Sequence, residues 1–424
     1  MRTWIHAAAV LSLLALGACG KETVCPQGEV LRNGTCVQTG CTGGACLTEL
    51  YLACGDTNQV VGATGALAPA GDSQTVGTRP VSLAWLDGRL YTANSIGATL
   101  SELRFDLPVP GGVGVSRTIT VDATSAFPDL EYVAGASGLL YVSNSALATL
   151  EVVDAASGVV VAETRLDPQG ADLFTGPAGI ALVSGRAYVA LNGADAIAVL
   201  DVSQCQAAPP ACGAGGDCAA QSGTTCVNGR CVATTCGQYL GRIPLPSALA
   251  SSATGPTPFR LIAVGSQLYV TLQNLDRANG FLPAGEGRLA VVDLATDPLA
   301  QGAHVPYAVS LGAACVNPGA LALLGDTLYV ACGYYDFFGT KARSGMAIVP
   351  VSIAGGTPFV RDAIPAVNVL SSISPCGGAL YAGASDNGSV VRYDPATGKL
   401  SPPVALCPPD SNGNAYVADL TCRP

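Results

Sequence analysis

Histidine is almost missing from this chain: there are two in 424 residues. His6 lies in a segment that export would remove, which leaves His304, at the start of an outer strand, where a surface or edge role is expected. Ser-His-Asp and Cys-His nucleophiles therefore lack their base. Charge is sparse as well, at 12% of residues, and the net charge is -10. That balance excludes a nucleic-acid partner, because phosphate backbones are held by basic surface. No glycine-rich phosphate loop is present: Gly111-Gly-Val-Gly lacks the following lysine and helix. The hydrophobic fraction of 49% excludes a disordered chain, which needs low hydrophobicity and high charge. No catalytic residue, metal site or cofactor is expected from these counts.

No stretch is long and apolar enough for a transmembrane helix. The first apolar run, Ala7 to Leu16 behind Arg2, has the length of a signal-peptide core. It ends in Leu16-Gly17-Ala18-Cys19, which resembles the lipobox of bacterial lipoproteins. The resemblance implies cleavage before Cys19, acylation of that residue, and a membrane partner reached through the lipid. Gly20 rather than Asp after the cysteine resembles the pattern for outer-membrane delivery. The expected division is a signal peptide over 1–18, a lipidated Cys-rich stalk over 19–54 and a main domain over 55–424.

Cysteine is abundant, with 17 residues, which points to an oxidising compartment. Without Cys19 the number is even. Cys25, Cys36, Cys41, Cys46 and Cys54 crowd the N-terminus, and Cys205, Cys212, Cys218, Cys226, Cys231 and Cys236 crowd an insert over 205–236. Cys315, Cys332, Cys376, Cys407 and Cys422 are scattered. Zinc is disfavoured, since no pair has the tight two-residue gap and histidine is lacking. Disulfides are expected throughout. If the six insert cysteines pair among themselves, five remain in each other group, so at least one bridge must join the N-terminal region to the main domain. Cys54 is the natural candidate and Cys422 its expected partner.

The organising feature is a repeat. An apolar run, a Gly turn, a Leu-Tyr-Val-like triplet, a loop and a second apolar run recur around Tyr91, Tyr141, Tyr188, Tyr269, Tyr329 and Tyr381. Successive tyrosines are 50, 47, 81, 60 and 52 residues apart, the longest interval holding the Cys-rich insert. A period of about fifty residues suits one four-stranded propeller blade. Each sheet has two apolar faces that only neighbouring sheets can bury, and the tyrosines are read as packing between blades. The expected fold is all-β, a propeller of six blades. Glu49-Leu-Tyr-Leu-Ala-Cys54 and Asn414-Ala-Tyr-Val-Ala-Asp419 also read as strands. These ends either close the sixth blade or combine into a seventh.

Leu140-Tyr-Val-Ser-Asn144, followed by Thr149-Leu-Glu-Val-Val-Asp154 and Gly158, resembles the YVTN repeat of exported bacterial β-propellers. The resemblance covers about residues 79 to 406. It implies the fold; its cofactor-bearing relatives use histidine ligands that this chain lacks.

Two loops are long where the other repeats are short. One runs over Gln273 to Glu286 with Arg277 and Phe281; the other over Gly333 to Ser344 with Tyr334, Tyr335, Phe337, Phe338, Lys341 and Arg343. Long loops in compact folds are commonly functional, and aromatics beside Arg and Lys make binding hot spots. These eight residues are the candidate binding site. The loops follow second strands and the insert follows a third strand, so the two are expected on opposite faces. Asp106, Asp154, Asp201, Asp293 and Asp394 are expected to cap turns. Asp386-Asn-Gly and Asp276 to Asn279 hold oxygen ligands but no full calcium loop. The leading reading is a lipid-anchored, non-catalytic propeller that binds a protein or glycan. The alternatives are a polysaccharide lyase or hydrolase with axial carboxylates, or a structural envelope protein. Two or three acidic side chains in the axial funnel, with a raised pKa, would favour the enzyme.

Overall fold

The computed structural model describes residues 29–32, 35–38 and 49–423, apart from 71–72, 106–113, 123–128, 169, 171–174, 214–215, 219–221, 252–254, 301–305 and 337–341. The chain divides into two units, 1–47 and 48–424. In the first, Glu29–Arg32 pairs antiparallel with Thr35–Gln38. Cys19, Cys25, Cys41, Cys46 and the side chain of Cys36 lie outside the described residues, as does His304. Among the described residues no helix is long and apolar enough to cross a membrane.

The second unit is a propeller of seven blades. From the axis outward, blade 1 is Pro80–Leu86, Arg89–Asn94, Thr99–Arg104 and Gly114–Thr120. Blade 2 is Leu130–Ala136, Leu139–Asn144, Thr149–Asp154 and Val159–Arg165. Blade 3 is Pro177–Val183, Arg186–Leu191, Ala196–Asp201 and Gln238–Pro244. Blade 4 is Pro258–Val264, Gln267–Leu272, Arg288–Asp293 and Tyr307–Ser310. Blades 5 and 6 begin Pro318–Leu324, Thr327–Tyr335, Arg343–Ser352 and Leu370–Cys376, Ala379–Ala384, Ser389–Asp394, and each has a split outer strand. Blade 7 combines Val417–Cys422 from one chain end with Glu49–Cys54, Gln59–Thr64 and Gln74–Thr75 from the other.

The seventh blade follows from the physics that makes the other six. The third residue of every second strand is tyrosine, and Tyr51 joins the six repeats; all seven are between 1% and 7% exposed. Each ring packs between adjacent sheets, where burying a large apolar side chain contributes about 1.5–3 kcal/mol. Without a closing blade, blades 1 and 6 would each leave such a face in water. The propeller therefore begins at Glu49, not at residue 55, because Glu49–Cys54 is a blade strand and not part of a stalk.

Two bridges bolt the seam between blades 6 and 7: Cys54–Cys407 and Cys376–Cys422. The expected link from the first N-terminal strand is present, but Cys407 and not Cys422 is the partner. In the strand pair, Cys54 faces Val417 while Cys422 faces Leu50. The two cysteines thus sit at opposite ends of the pair, roughly 16 Å apart at ~3.3 Å per residue, beyond disulfide reach. The other described bridges are local: Cys315–Cys332 in blade 5, and Cys205–Cys236, Cys212–Cys226 and Cys218–Cys231 within the insert. The seam between blades 7 and 1 has packing instead. Tyr51 and Trp85 rings lie 5.7 Å apart, and Phe105 lies 5.1 Å from each.

Inner strands all start on one face, here the upper face, where the second-to-third-strand loops also lie. The insert leaves blade 3 between its third and outer strands and so lies on the lower face, opposite the long loops. It leans on blade 2: the Asn228 side chain donates to the Val160 carbonyl at 2.8 Å, and the Ala208 N–H donates to Asp154 at 2.9 Å. Asp154, Asp201, Asp293 and Asp394 accept backbone N–H groups of Ser157, Ser203, Ala295 and Ala396, the turn-capping role expected for them. Asp106 lies outside the described residues.

Two predictions follow from this framework. Cys54→Ser with Cys407→Ser opens a link of 353 residues, against 17 for Cys315–Cys332. The entropy relation makes the first pair costlier by roughly 2–3 kcal/mol. Urea midpoints of the two double variants should differ in that order; equal losses would contradict it. The second concerns Glu151, 1% exposed, which accepts from Thr149 at 2.5 Å and from Asn144 at 3.3 Å and keeps one oxygen unpartnered. Burial raises its pKa from 4.5 to about 7. The protonated form is favoured in the fold, so its stabilising contribution is complete below 4.5 and is lost as pH rises through about 7. Glu151→Gln should flatten the stability profile across that window, measured by thermal midpoints from pH 4 to 8.5; an unchanged profile would count against the assignment.

Candidate functional site

The inner strands have one free edge toward the axis. Four begin with proline (Pro80, Pro177, Pro258 and Pro318), which suits a first residue whose N–H has no partner to meet. Two positions on, at the upper mouth, the seven strands place Ser82, Tyr132, Gly179, Arg260, Ala320, Ser372 and Asp419. Most are small. Tyr132, Arg260 and Asp419 are not, and Glu131 stands beside them. All four are ringed by protein yet partly accessible.

Arg260 organises the group. Its guanidinium stacks on the Tyr132 and Phe259 rings, 4.5 Å from each centroid. Blade 3, between Tyr132 and Arg260, contributes Gly179, and a side chain there would meet the Phe259 carbonyl oxygen at 2.8 Å. The Arg260 Nη1 is buried without a hydrogen-bond partner. Glu131 is hydrogen-bonded to Asp129, whose oxygens also accept from Ser95 and Ser145 at 2.6 Å each. Burial and the Asp129 charge raise the Glu131 pKa from 4.5 to about 7, against the pull of Arg260 and Arg79. Burial also raises Asp419, while Arg260 and the Leu83 N–H, which donates to it at 2.8 Å, favour its anion. A carboxyl group that titrates near neutrality beside a fixed cation suits proton transfer.

The loop residues lie on the same face. Tyr334 and Tyr335 extend the second strand of blade 5 above the ring, where Tyr335 pairs with Arg343. With Phe259, Gln273, Val369 and Ser371 they line a cavity of about 320 Å³. Phe259 joins the two parts: it lines the cavity and carries Arg260. Arg343 pairs with the buried Asp386 at 2.8 Å. Arg277 is engaged within the protein, gripping Asp195 at 2.7 and 2.9 Å and the Asn192 carbonyl. It fastens the blade 4 hairpin, Leu275–Asp276 with Leu282–Pro283, to blade 3. Phe281 projects from that hairpin, 43% exposed. Phe337, Phe338 and Lys341 lie outside the described residues.

Loop length led to Tyr334 and Tyr335 but could not find Glu131, Tyr132, Arg260 and Asp419. The available signal was a bulky polar residue at a repeat position otherwise held by Ser, Gly or Ala. A larger cavity, about 450 Å³, lies in the insert among Gln204, Gln206, Ser222, Thr224 and Thr234, and has neither charge nor aromatic ring. Cys212, Cys218 and Cys231 also converge there, but each is in a disulfide and offers no thiolate to a metal.

No protein-family profile matches the chain, and no curated protein matches it in sequence. Solved structures do share its fold. A Lactobacillus plantarum protein superposes with a TM-score of 0.59 at 15% identity, over 89% of this chain and 99% of that one. A Bacteroides fragilis protein provisionally assigned as a 6-phosphogluconolactonase gives 0.55 at 13%, over 88% and 97%. The periplasmic gluconolactonase of Pseudomonas aeruginosa gives 0.55 at 15%, over 87% and 96%. At this identity the likeness establishes the seven-bladed propeller.

Proposed function

We propose that the protein is an exported, lipid-anchored hydrolase that acts on a sugar-derived substrate at the upper mouth of its axial channel. The observation that carries this reading is the convergence of Glu131 and Asp419 on Arg260, whose guanidinium rests on Phe259, a wall of the cavity that Tyr334 and Tyr335 also line. A sugar lactone is the simplest substrate that suits it, and two structural neighbours bear gluconolactonase names. The Glu131 carboxylate takes a proton from water as the oxygen attacks the carbonyl carbon. Arg260 supplies the positive charge that stabilises the oxyanion as it develops. The proton then passes to the ring oxygen as the C–O bond breaks, leaving the hydroxy acid. The aromatic cavity walls hold the sugar face. The YVTN-type repeat and the lipobox at Cys19 belong to the same proposal, and the disulfides suit an oxidising envelope compartment.

The test is turnover of glucono-δ-lactone and of neutral and acidic oligosaccharides by wild type, Glu131→Gln and Arg260→Gln. A base with a pKa of about 7 makes the rate rise through neutral pH. Glu131→Gln should remove that limb and reduce the rate by about 10²–10⁴-fold. Saccharide binding with no turnover in any form would return the binding-scaffold reading. Unaltered turnover in Glu131→Gln would sink the assignment of the base. The anchor is tested separately. Wild type should partition into detergent and Cys19→Ala should be released or left unprocessed; equal partition of the two refutes lipidation.

A further inference from the structure

The cavity at Phe259 has polar side chains whose orientation is fixed by their neighbours. Gln273, just after the second strand of blade 4, is 7% exposed and lines it. Its Oε1 accepts from Asn192 Nδ2 at 3.2 Å, and its backbone N–H donates to the Thr257 carbonyl at 3.1 Å. Asn192 is itself held. Its N–H donates to the Gly176 carbonyl at 2.9 Å, its Nδ2 also donates to the Pro258 carbonyl at 3.3 Å, and its carbonyl accepts from Arg277. An amide whose oxygen is engaged on one side presents its NH2 group on the other. Among the described residues no acceptor meets the Gln273 Nε2, so its N–H groups serve what enters the cavity.

Three other lining side chains are set the opposite way. Asn317 donates its Nδ2 to the Gly333 carbonyl at 3.1 Å, which leaves its Oδ1 without a partner. Ser371 donates its hydroxyl to the Val417 carbonyl at 3.1 Å, and Ser385 donates its own to the Val369 carbonyl at 3.3 Å. Each serine proton is spent, so each oxygen is left to accept. The cavity thus combines one amide donor with three acceptor oxygens, among the rings of Phe259, Tyr334 and Tyr335. Small-molecule sites have this make-up, apolar and aromatic walls with a few polar groups that fix orientation.

We propose that this cavity seats one uncharged sugar ring with free hydroxyls, and that Gln273 is the residue that selects it. The inference rests on the sugar-derived substrate proposed above and narrows it to a class. A hydroxyl both donates and accepts, so a ring that carries several can give protons to Asn317, Ser371 and Ser385 and accept from Gln273. A carboxylate or phosphate only accepts. It would set its oxygens against those three and have one amide to answer it, and an anion so poorly matched is costly to bury. The volume of about 320 Å³ is at the small end of ligand sites and suits a single ring. Phe259 ties the cavity to the proposed chemistry, because the Arg260 guanidinium stacks on the same ring.

The test is titration of the full chain with methyl glucoside and with methyl glucuronide, read by calorimetry and saturation-transfer NMR. The two probes share a ring and differ in a carboxylate, and neither has a lactone to open, so binding is read apart from turnover. Methyl glucoside should bind at least tenfold more tightly than methyl glucuronide. Gln273→Met should weaken glucoside binding at least tenfold. Gln273→Glu, which still accepts from Asn192 and from a hydroxyl, should retain part of the glucoside binding and shows that the loss in Gln273→Met is not misfolding. Glucoside binding without turnover of any lactone keeps this subsite and sinks the hydrolase reading; lactone turnover without glucoside binding does the reverse. Equal binding of the two probes, or glucoside binding that Gln273→Met leaves intact, also overturns the proposal.

Discussion

A propeller sheet has two apolar faces and no way to bury either alone, so the ring must close. Everything else in this protein depends on that closure. The closing strand Val417–Cys422 lies between the inner strands of blades 6 and 1 and pairs with Glu49–Cys54. One seam of blade 7 is covalent, through Cys54–Cys407 and Cys376–Cys422. The other is an aromatic cluster with the Asp419 to Leu83 hydrogen bond. A covalent seam limits how far the chain ends can part. The packed seam then needs only enough apolar contact to fix the angle between neighbouring blades.

Closure also builds the candidate site. Asp419 is on the closing strand, Glu131 on blade 2 and Arg260 on blade 4, so no local segment contains the group. Their shared level comes from the register of inner strands, which start together at the upper mouth. Ringed by the blades, these carboxyl groups lose hydration, and the Glu131 pKa moves up to about 7. The same burial in the solid part of blade 2 gives Glu151 a similar value with no access to a substrate. A raised pKa therefore does not by itself tell the two apart; access to the channel and the Arg260 cation do.

The repeat was legible because blade packing asks the same thing of every copy: tyrosine at the third place of the second strand and small or branched residues around it. Six copies stand out because each lies in one piece. The seventh is split between the two chain ends, and Tyr51 announces it only once the tyrosine is treated as the blade marker. The parity of the cysteines required a bridge from the first strand region, and Cys54 supplies it. Its partner depended on strand register, which spacing does not encode. Loop length similarly pointed to Tyr334 and Tyr335, since length survives in one dimension. The axial residues are 131, 132, 260 and 419, an arrangement that exists only after seven strands align. Arg277 illustrates the converse: a cation in a long loop looks available, yet Asp195 of the next blade takes both its ends.

The two faces then differ for a structural reason. Loops on the upper face join second to third strands and are free to lengthen without disturbing blade order, as blades 4 and 5 do. They rise around the channel mouth and wall the cavity at Phe259. On the lower face the chain enters at Glu49 and leaves at Cys422, and the disulfide-held insert, which has no core of its own, leans on blade 2 through Asn228 and Ala208. The propeller chain therefore enters and leaves the ring on the lower face, a blade's height from the Glu131, Asp419 and Arg260 group at the upper mouth.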